Sequence, residues 1–306
     1  MWAQYFEQFI NGLVQGGIYA LIAVGYTMVY GIIQLINFAH GEIYMFGAYF
    51  GLILITVFHI PFWIALPLAM LLCALLGMLI DYVAYRPLRT APRLSALITA
   101  IGISIALQNL ARMFWTAEPQ VYPTDSLPSI FVSGLNDMGE VINVIPLPGG
   151  GTLPYRDVFI LLIAVALMII LNLLIYYTRI GKAMRACAQN AVAANLMGIN
   201  ANRVILATFA VGSALGAVAG VMVGLSENVT PTMGYYKGVA AFAAAVLGGI
   251  GSVTGAIVGG LLIGLAEAFG ADFHSGYRIA FAYIIMILVI LIRPTGLFGK
   301  ATSKRA

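Results

Sequence analysis

The sequence predicts an all-α, polytopic membrane protein with about eight or nine transmembrane helices, including a glycine-rich broken or re-entrant hairpin. Three observations carry this. Of 306 residues, 62% are hydrophobic and only 8% charged, with a mean hydropathy of +0.99. A soluble domain carries about 25% charged residues, so this chain cannot clothe a water-facing surface. The apolar runs are also long: between Glu7 and Asp81 the only charged residue is Glu42. A bilayer core takes roughly 20 apolar residues per helical crossing, and unbroken runs of that kind read as helices rather than as the short alternating strands of a barrel. Finally, the charges cluster by sign.

Three connections are purely basic. They are "YRPLRTAPR" (Arg86, Arg89, Arg93), the stretch with Arg179, Lys182, Arg185 and Arg203, and the tail with Arg293, Lys300, Lys304 and Arg305. Together they hold 11 of the 15 basic residues and no acid, which places all three on the cytoplasmic side. The connection at 112–157 has five acids against two arginines and fits the outer side. The whole chain, 1–306, then reads as a single transmembrane domain with an extracytoplasmic loop at about 112–157 and a cytoplasmic loop at about 179–203.

Each crossing follows in order. Phe9–Ile36 runs inward from an external N-terminus, Ile43–Phe58 outward and Phe62–Ile80 inward. Leu94–Ala111 runs outward, Val158–Thr178 inward and Val204–Leu225 outward. The stretch from Gly238 to Gly270 starts and ends outside, as two short helices or a re-entrant pair turning at "LGGIGSVTG". Its Gly248, Gly249, Gly251, Ser252 and Gly255 favour a tight turn and close helix packing. Ile279–Ile292 runs inward to the basic tail.

Several chemistries are excluded or weakened. No phosphate loop accompanies Gly181-Lys182 or Gly299-Lys300, so the chain cannot hydrolyse ATP alone. His40, His59 and His274 are far apart, Cys73 and Cys187 define no disulfide framework, and no metal site is expected. "GIS" at Gly102–Ser104 is too short a match for an intramembrane serine hydrolase. The N-terminus lacks the basic start and cleavage site of a secretory signal, so its first apolar segment is expected to be retained.

The loop "RIGKAMRACAQNAVAANLMGINANR" is basic, helix-favouring and slim. Its "AANLMG", Ala193–Gly198, resembles the core of the EAA loop by which ABC-importer permeases dock onto ATPase subunits, with Val192 in place of the usual glutamate. The resemblance extends through "GGIYALIAVGYTMVYGIIQLINFAHGEIYMFGAY", "VAYRPLR", "AAVLGGIGSVTGAIVGGLLIGLAEA" and "RPTGLFG". These segments resemble the inner-membrane permease family of branched-chain amino acid ABC importers, and more narrowly the shorter of its two permease subunits. The resemblance implies a bacterial inner-membrane, multi-pass subunit that is not itself an enzyme. It also implies a second related permease, two cytoplasmic ATP-binding subunits and a periplasmic amino-acid-binding protein as partners, within the lipid bilayer. ATP and Mg would be used by the ATPases, with no cofactor on this chain and no nucleic acid. ATPase coupling then falls to Arg185, Ala193, Ala194 and Gly198. Urea and short-chain amide importers carry similar permeases, and a self-sufficient secondary transporter is the rival from another class.

The translocation path or gating turn is assigned to Gln34, Asn37, His40, Gly41 and Glu42. Ionisable groups inside a membrane bundle mark function. Gln34 and Asn37 are spaced to share a helix face, and Gly41 permits an irregular turn holding His40 and Glu42. Three roles compete for Glu42: a structural lock on backbone N–H groups of the next helix, a gate or path lining, or a ligand for a substrate ammonium group. Asp81, one turn before Arg86, suggests a local ion pair. Glu227 and Lys237 read as a solvated outer loop.

Overall fold

The computed structural model describes residues 2–89, 91–135, 141–146, 151–273 and 278–299. Residues 274–277 with His274, the tail from Lys300 and the side chain of Arg93 lie outside the described residues. The first half of the chain contains α1 (Trp2–Ile33), α2 (His40–Thr56), α3 (Phe62–Ile80) and α4 (Arg93–Trp115), with α3 continuing into a wide turn at Asp81–Tyr85. Beyond the outer loop come α5 (Tyr155–Tyr177), α6 (Arg179–Gln189), α7 (Ala191–Leu196) and α8 (Ala201–Gly224). The last three are α9 (Met233–Gly248), α10 (Val253–Phe273) and α11 (Arg278–Ile292). Among the described residues six helices are long and apolar enough to cross a membrane, so this is a multi-pass α-helical membrane protein.

The helix α2, buried along nearly its whole length, forms the centre with α8 and the inner part of α1, and α3, α4 and α5 turn most of their apolar surface outward. In lipid there is little hydrophobic drive between helices, so close backbone approach must supply the contact. Glycine permits it. Along α1 and α10, Gly12 meets Leu265, Gly16 meets Leu261, and Gly260 meets Ala20, which sets the two helices antiparallel. Gly220 of α8 lies so close to α2 that a Cβ there would collide with the Tyr44 carbonyl oxygen.

Capping residues explain the breaks between α5 and α8. Thr178 Oγ1, Asn190 Oδ1 and Asn200 Oδ1 accept backbone N–H bonds at 3.1, 3.0 and 3.1 Å from Gly181, Ala193 and Arg203. Each satisfies a donor that a helix start leaves unpaired. The 179–203 segment is therefore two short helices followed by the start of α8, rather than one continuous helix. The helix α7 ends in a Schellman motif: Gly198 N–H bonds Asn195 at 3.0 Å, Ile199 N–H bonds Ala194 at 3.0 Å, and Gly198 has φ +83°.

The outer loop is pinned rather than loose. Two small antiparallel pairs, β1 (Gly134–Leu135) with β2 (Val141–Ile142) and β3 (Val144–Pro146) with β4 (Thr152–Pro154), shape it. Phe131 is buried against Phe62 and Phe159, with ring centroids 5.1 and 4.7 Å away. Tyr122 drops between Gly51 and Gly224 and donates to the Ala48 carbonyl at 2.7 Å. Burial pushes its phenol well above the ordinary tyrosine range, so it remains a neutral donor.

Replacing Gly220 with Val should overpack the α2–α8 contact and lower stability by about 1–3 kcal/mol. Thermal unfolding of the detergent-solubilised protein checks this. Gly102→Ala, at a site with open space around it, should leave the transition unchanged.

Candidate functional site

The site is built where the chain doubles back. Helix α1 stops at Ile33, and Gln34 turns the backbone with φ +57°. Residues 34–39 are not helical, and they return along α1 until His40 rests against Gly25. That contact lies eight residues before the end of α1, or about 12 Å at 1.5 Å per residue. The start of α2 is thus inside the bundle and not at its edge.

Three consecutive residues then do different things. The His40 ring fills the gap left by Gly25, lies edge-on to Tyr26 at 5.0 Å between centroids, and has Gly212 and Gly216 beside it. Gly41 lets α2 press against Gly234 and Gly238 of α9, where any Cβ would strike backbone. Glu42, 1% exposed, extends toward α4, and its Oε1 accepts bonds from Ser104 Oγ and Gln108 Nε2, both at 2.8 Å. Its Oε2 has no hydrogen-bond partner and lies beside Gly234.

Beside these groups is a cavity of about 870 Å3, lined from α1, α2, α4, α9 and α11 and including Glu42, Ser104 and Gln108. Most of its wall is apolar, from residues such as Ile101, Ile105, Val239 and Phe242. Its lining residues Ile101, Ile105, Tyr235 and Tyr236 are 45–56% exposed, so it is open to the surface where α4 faces the start of α9. Among the described residues there is no cluster of His, Cys, Asp or Glu able to hold a metal ion. The arrangement offers an apolar chamber with one fixed carboxylate. The Ser104 hydroxyl donates to that carboxylate.

The structure changes several of the sequence expectations. His40, Gly41 and Glu42 belong to the first turn of α2, so Gly41 serves close helix approach rather than an irregular turn. Gln34 and Asn37 share no helix face, because α1 has already ended. Gln34 is exposed, whereas Asn37 is buried and its Oδ1 accepts from Tyr85 Oη at 2.9 Å. The lock on backbone N–H groups is not formed: no side chain caps α2, and Glu42 takes its bonds from α4. Asp81 pairs with Arg89, at 2.7 and 2.9 Å, and not with Arg86, which stacks over Tyr82. The wide turn at Asp81–Tyr85 carries the chain past the position one turn on. Lys237 and Glu227 meet at 2.9 Å and share Gln15, a partly buried cluster rather than a solvated loop.

Other residues singled out from sequence do come together. Gly249, Ile250, Gly251 and Ser252 form a four-residue link between α9 and α10, with φ +102° at Gly249 and +97° at Gly251. On either side of it, Gly248 and Gly255 press backbone to backbone. Ser252 Oγ caps α10 through Gly255 N–H at 3.1 Å. The terminal segment, unassigned from sequence, closes this link from below: Leu297 and Phe298 N–H bond the Leu247 and Gly248 carbonyls, both at 2.9 Å. In the 179–203 segment Arg185 turns back to the Ile175 carbonyl and lies over Tyr176, while Ala194 is buried. Val192, Leu196 and Met197 stand out at 71, 85 and 82% exposure. Sequence reasoning misses Ser104 and Gln108 as partners of Glu42, although two polar residues four apart in an apolar helix are the available signal.

These features define a class: a multi-pass helical membrane protein enclosing a mostly apolar chamber open on one flank. Comparison with known proteins narrows it. Residues 8–292 match the family described as branched-chain amino acid transport system / permease component. The chain is 45% identical to the high-affinity branched-chain amino acid transport system permease protein BraD of Pseudomonas aeruginosa, over 97% of this chain and 96% of that one. It is 40% identical to the corresponding protein LivH of Escherichia coli K12, again over 97% and 96%. It is also 25% identical to LivM of Salmonella typhimurium, over 92% of this chain and 67% of that one. The chain belongs to the permease family of branched-chain amino acid transport systems.

Removing one partner of the buried Asp81–Arg89 pair should cost about 3–5 kcal/mol. Asp81→Asn is therefore expected to lower the unfolding temperature sharply, and the double variant Asp81→Asn, Arg89→Met to recover part of the loss.

Proposed function

We propose that this chain is the LivH-type permease subunit of an ATP-driven importer of branched-chain amino acids in the bacterial inner membrane. The observation that carries the reading is the chamber beside Glu42, open along the uncovered face of α4, in a chain 45% identical to a permease named for this transport. A second, related permease covers that face, and the path runs between the two. The 25% identity to LivM supports a partner of the same architecture. Two cytoplasmic ATPases and a periplasmic binding protein complete the machine. This chain hydrolyses nothing and binds no cofactor.

In this reading the single transmembrane domain makes nine crossings with α9 and α10 each counted, and seven if that hairpin enters and leaves on the outer side. The antiparallel contact of α1 with α10, and the seat of the terminal segment under the 249–252 link, support a cytoplasmic position for that link. Gln34 lies at the inner mouth, where it borders a second cavity of about 310 Å3. His40 and Gly41 set the depth of α2, and Glu42 lines the path. The helices α6 and α7 dock on an ATPase through Val192, Leu196 and Met197. Ala193 and Ala194 keep that arm slim, Gly198 shapes its end, and Arg185 ties it to α5. An apolar contact at Val192 replaces the acidic one of the usual loop.

Two experiments test this. Leu196→Cys should label with an impermeant maleimide from the cytoplasmic face only, and ATPase subunits should protect it. The native thiols interfere little, since Cys73 and Cys187 are buried and burial pushes the Cys187 thiol above its ordinary range. Labelling from the periplasm would overturn the topology. Gly198→Val places a branched residue at φ +83°, with a strain of roughly 1–2 kcal/mol. In proteoliposomes of the assembled transporter it should lower uptake per ATP hydrolysed while the protein stays in the membrane.

A further inference from the structure

We infer that Glu42 and the first turn of α9 form one recognition site for a zwitterion, with the Glu42 carboxylate taking the substrate ammonium group and the α9 N-terminus taking the substrate carboxylate. The inference rests on the transport reading above and adds how the chamber recognises its cargo.

Glu42 is the starting point. It is buried, it is the one charged residue on the chamber wall among the described residues, and neither of its donors is cationic. Ser104 and Gln108 both bond Oε1, which fixes the carboxylate in one orientation and leaves Oε2 without a hydrogen-bond partner, beside Gly234. A carboxylate buried in this way calls for a cation, and no ion pair to Glu42 exists among the described residues.

The second half of the site is the helix that Oε2 faces. Thr232, Gly234, Tyr235 and Tyr236, at the start of the 16-residue α9, line the same chamber. No side chain caps this helix start, and its first turn contains no acid. Met233 and Tyr235 N–H bond the Thr230 and Thr232 carbonyls, both at 3.2 Å, which leaves Gly234 N–H and the positive dipole end of the helix as the seat for a carboxylate. A free amino acid has both charges on one carbon, as a site with an anion and a helix N-terminus side by side requires. Its aliphatic side chain would then lie against Leu97, Ile101, Ile105 and Phe242. Urea and simple amides carry neither charge and would leave both groups unmatched.

The test uses the whole transporter, purified with its second permease and ATPases but without binding protein. Displacement of radiolabelled leucine is measured with leucine, with isopentylamine (no carboxylate) and with the α-keto acid of leucine (no ammonium group). Each half-ligand should bind at least about tenfold more weakly than leucine. The Glu42→Gln transporter should lose its preference for leucine over the keto acid, and Glu42→Asp should keep part of it. Equal binding of leucine and the keto acid to the wild type overturns the inference, and so does an absence of leucine binding in a complex that still couples ATP hydrolysis to leucine uptake. The wild-type titration decides even if a Glu42 variant fails to assemble. A complex that carries no leucine at all would instead overturn the transport reading.

Discussion

Backbone-to-backbone approach at the start of α2 decides where the Glu42 carboxylate sits. Gly25 opens a hole in α1 for the His40 ring, Gly41 meets Gly234 and Gly238 across the α2–α9 contact, and Gly220 brings α8 against Tyr44. A Cβ at Gly41 would meet a carbonyl oxygen or a Cα and not the end of a side chain that could swing aside. The helices can therefore close only as they do here. Lost hydrophobic drive in lipid is offset by dense packing and by a few polar bonds made where water is absent.

Breaking helices inside a bundle leaves backbone groups that must find partners. The structure supplies them locally. Tyr85 Oη donates to Asn37 Oδ1 beside the 34–39 return. The Gln120 and Val229 backbones exchange two bonds of 2.8 Å, which ties the outer loop to the segment before α9. Leu297 and Phe298 take up carbonyls at the other end of α9. Helix α9 is thus held at both ends by neighbouring segments while its first half lines the chamber.

Much of this is legible in the sequence. The apolar runs give α3, α4, α5 and α8 nearly to their ends, because a long unbroken run has few alternatives in lipid. The glycines at 248–255 announce a tight link, and Glu42 stands out as a charge inside the bundle. What stays hidden depends on contacts between distant segments. Nothing local says that α1 stops at Ile33, since Gln34 and Leu35 could extend it. The exchange of Arg86 for Arg89 as the partner of Asp81 follows from one widened turn. The bonds from Ser104 and Gln108 need α4 and α2 to be neighbours, and spacing within α4 gives only that they share a face.

The geometry also links the cytoplasmic arm to the chamber. The exposed side chains of α7 are fixed to α6 through the Asn190 cap, and α6 is anchored to α5 by Arg185. Met184 and Arg185 border a small crevice of about 80 Å3 shared with Thr27 and Gly31 of α1 and with Gly251 of the α9–α10 link. On the transport reading, a push on α7 would reach α1 and the foot of α9 together. Those two helices carry Gly25 and Gly234, which flank His40 and Glu42 on opposite sides. A displacement of one relative to the other must change the fit around the start of α2, because the close contacts there leave no slack. On the transport reading, this is how work done at the cytoplasmic face reaches a carboxylate in the middle of the bundle.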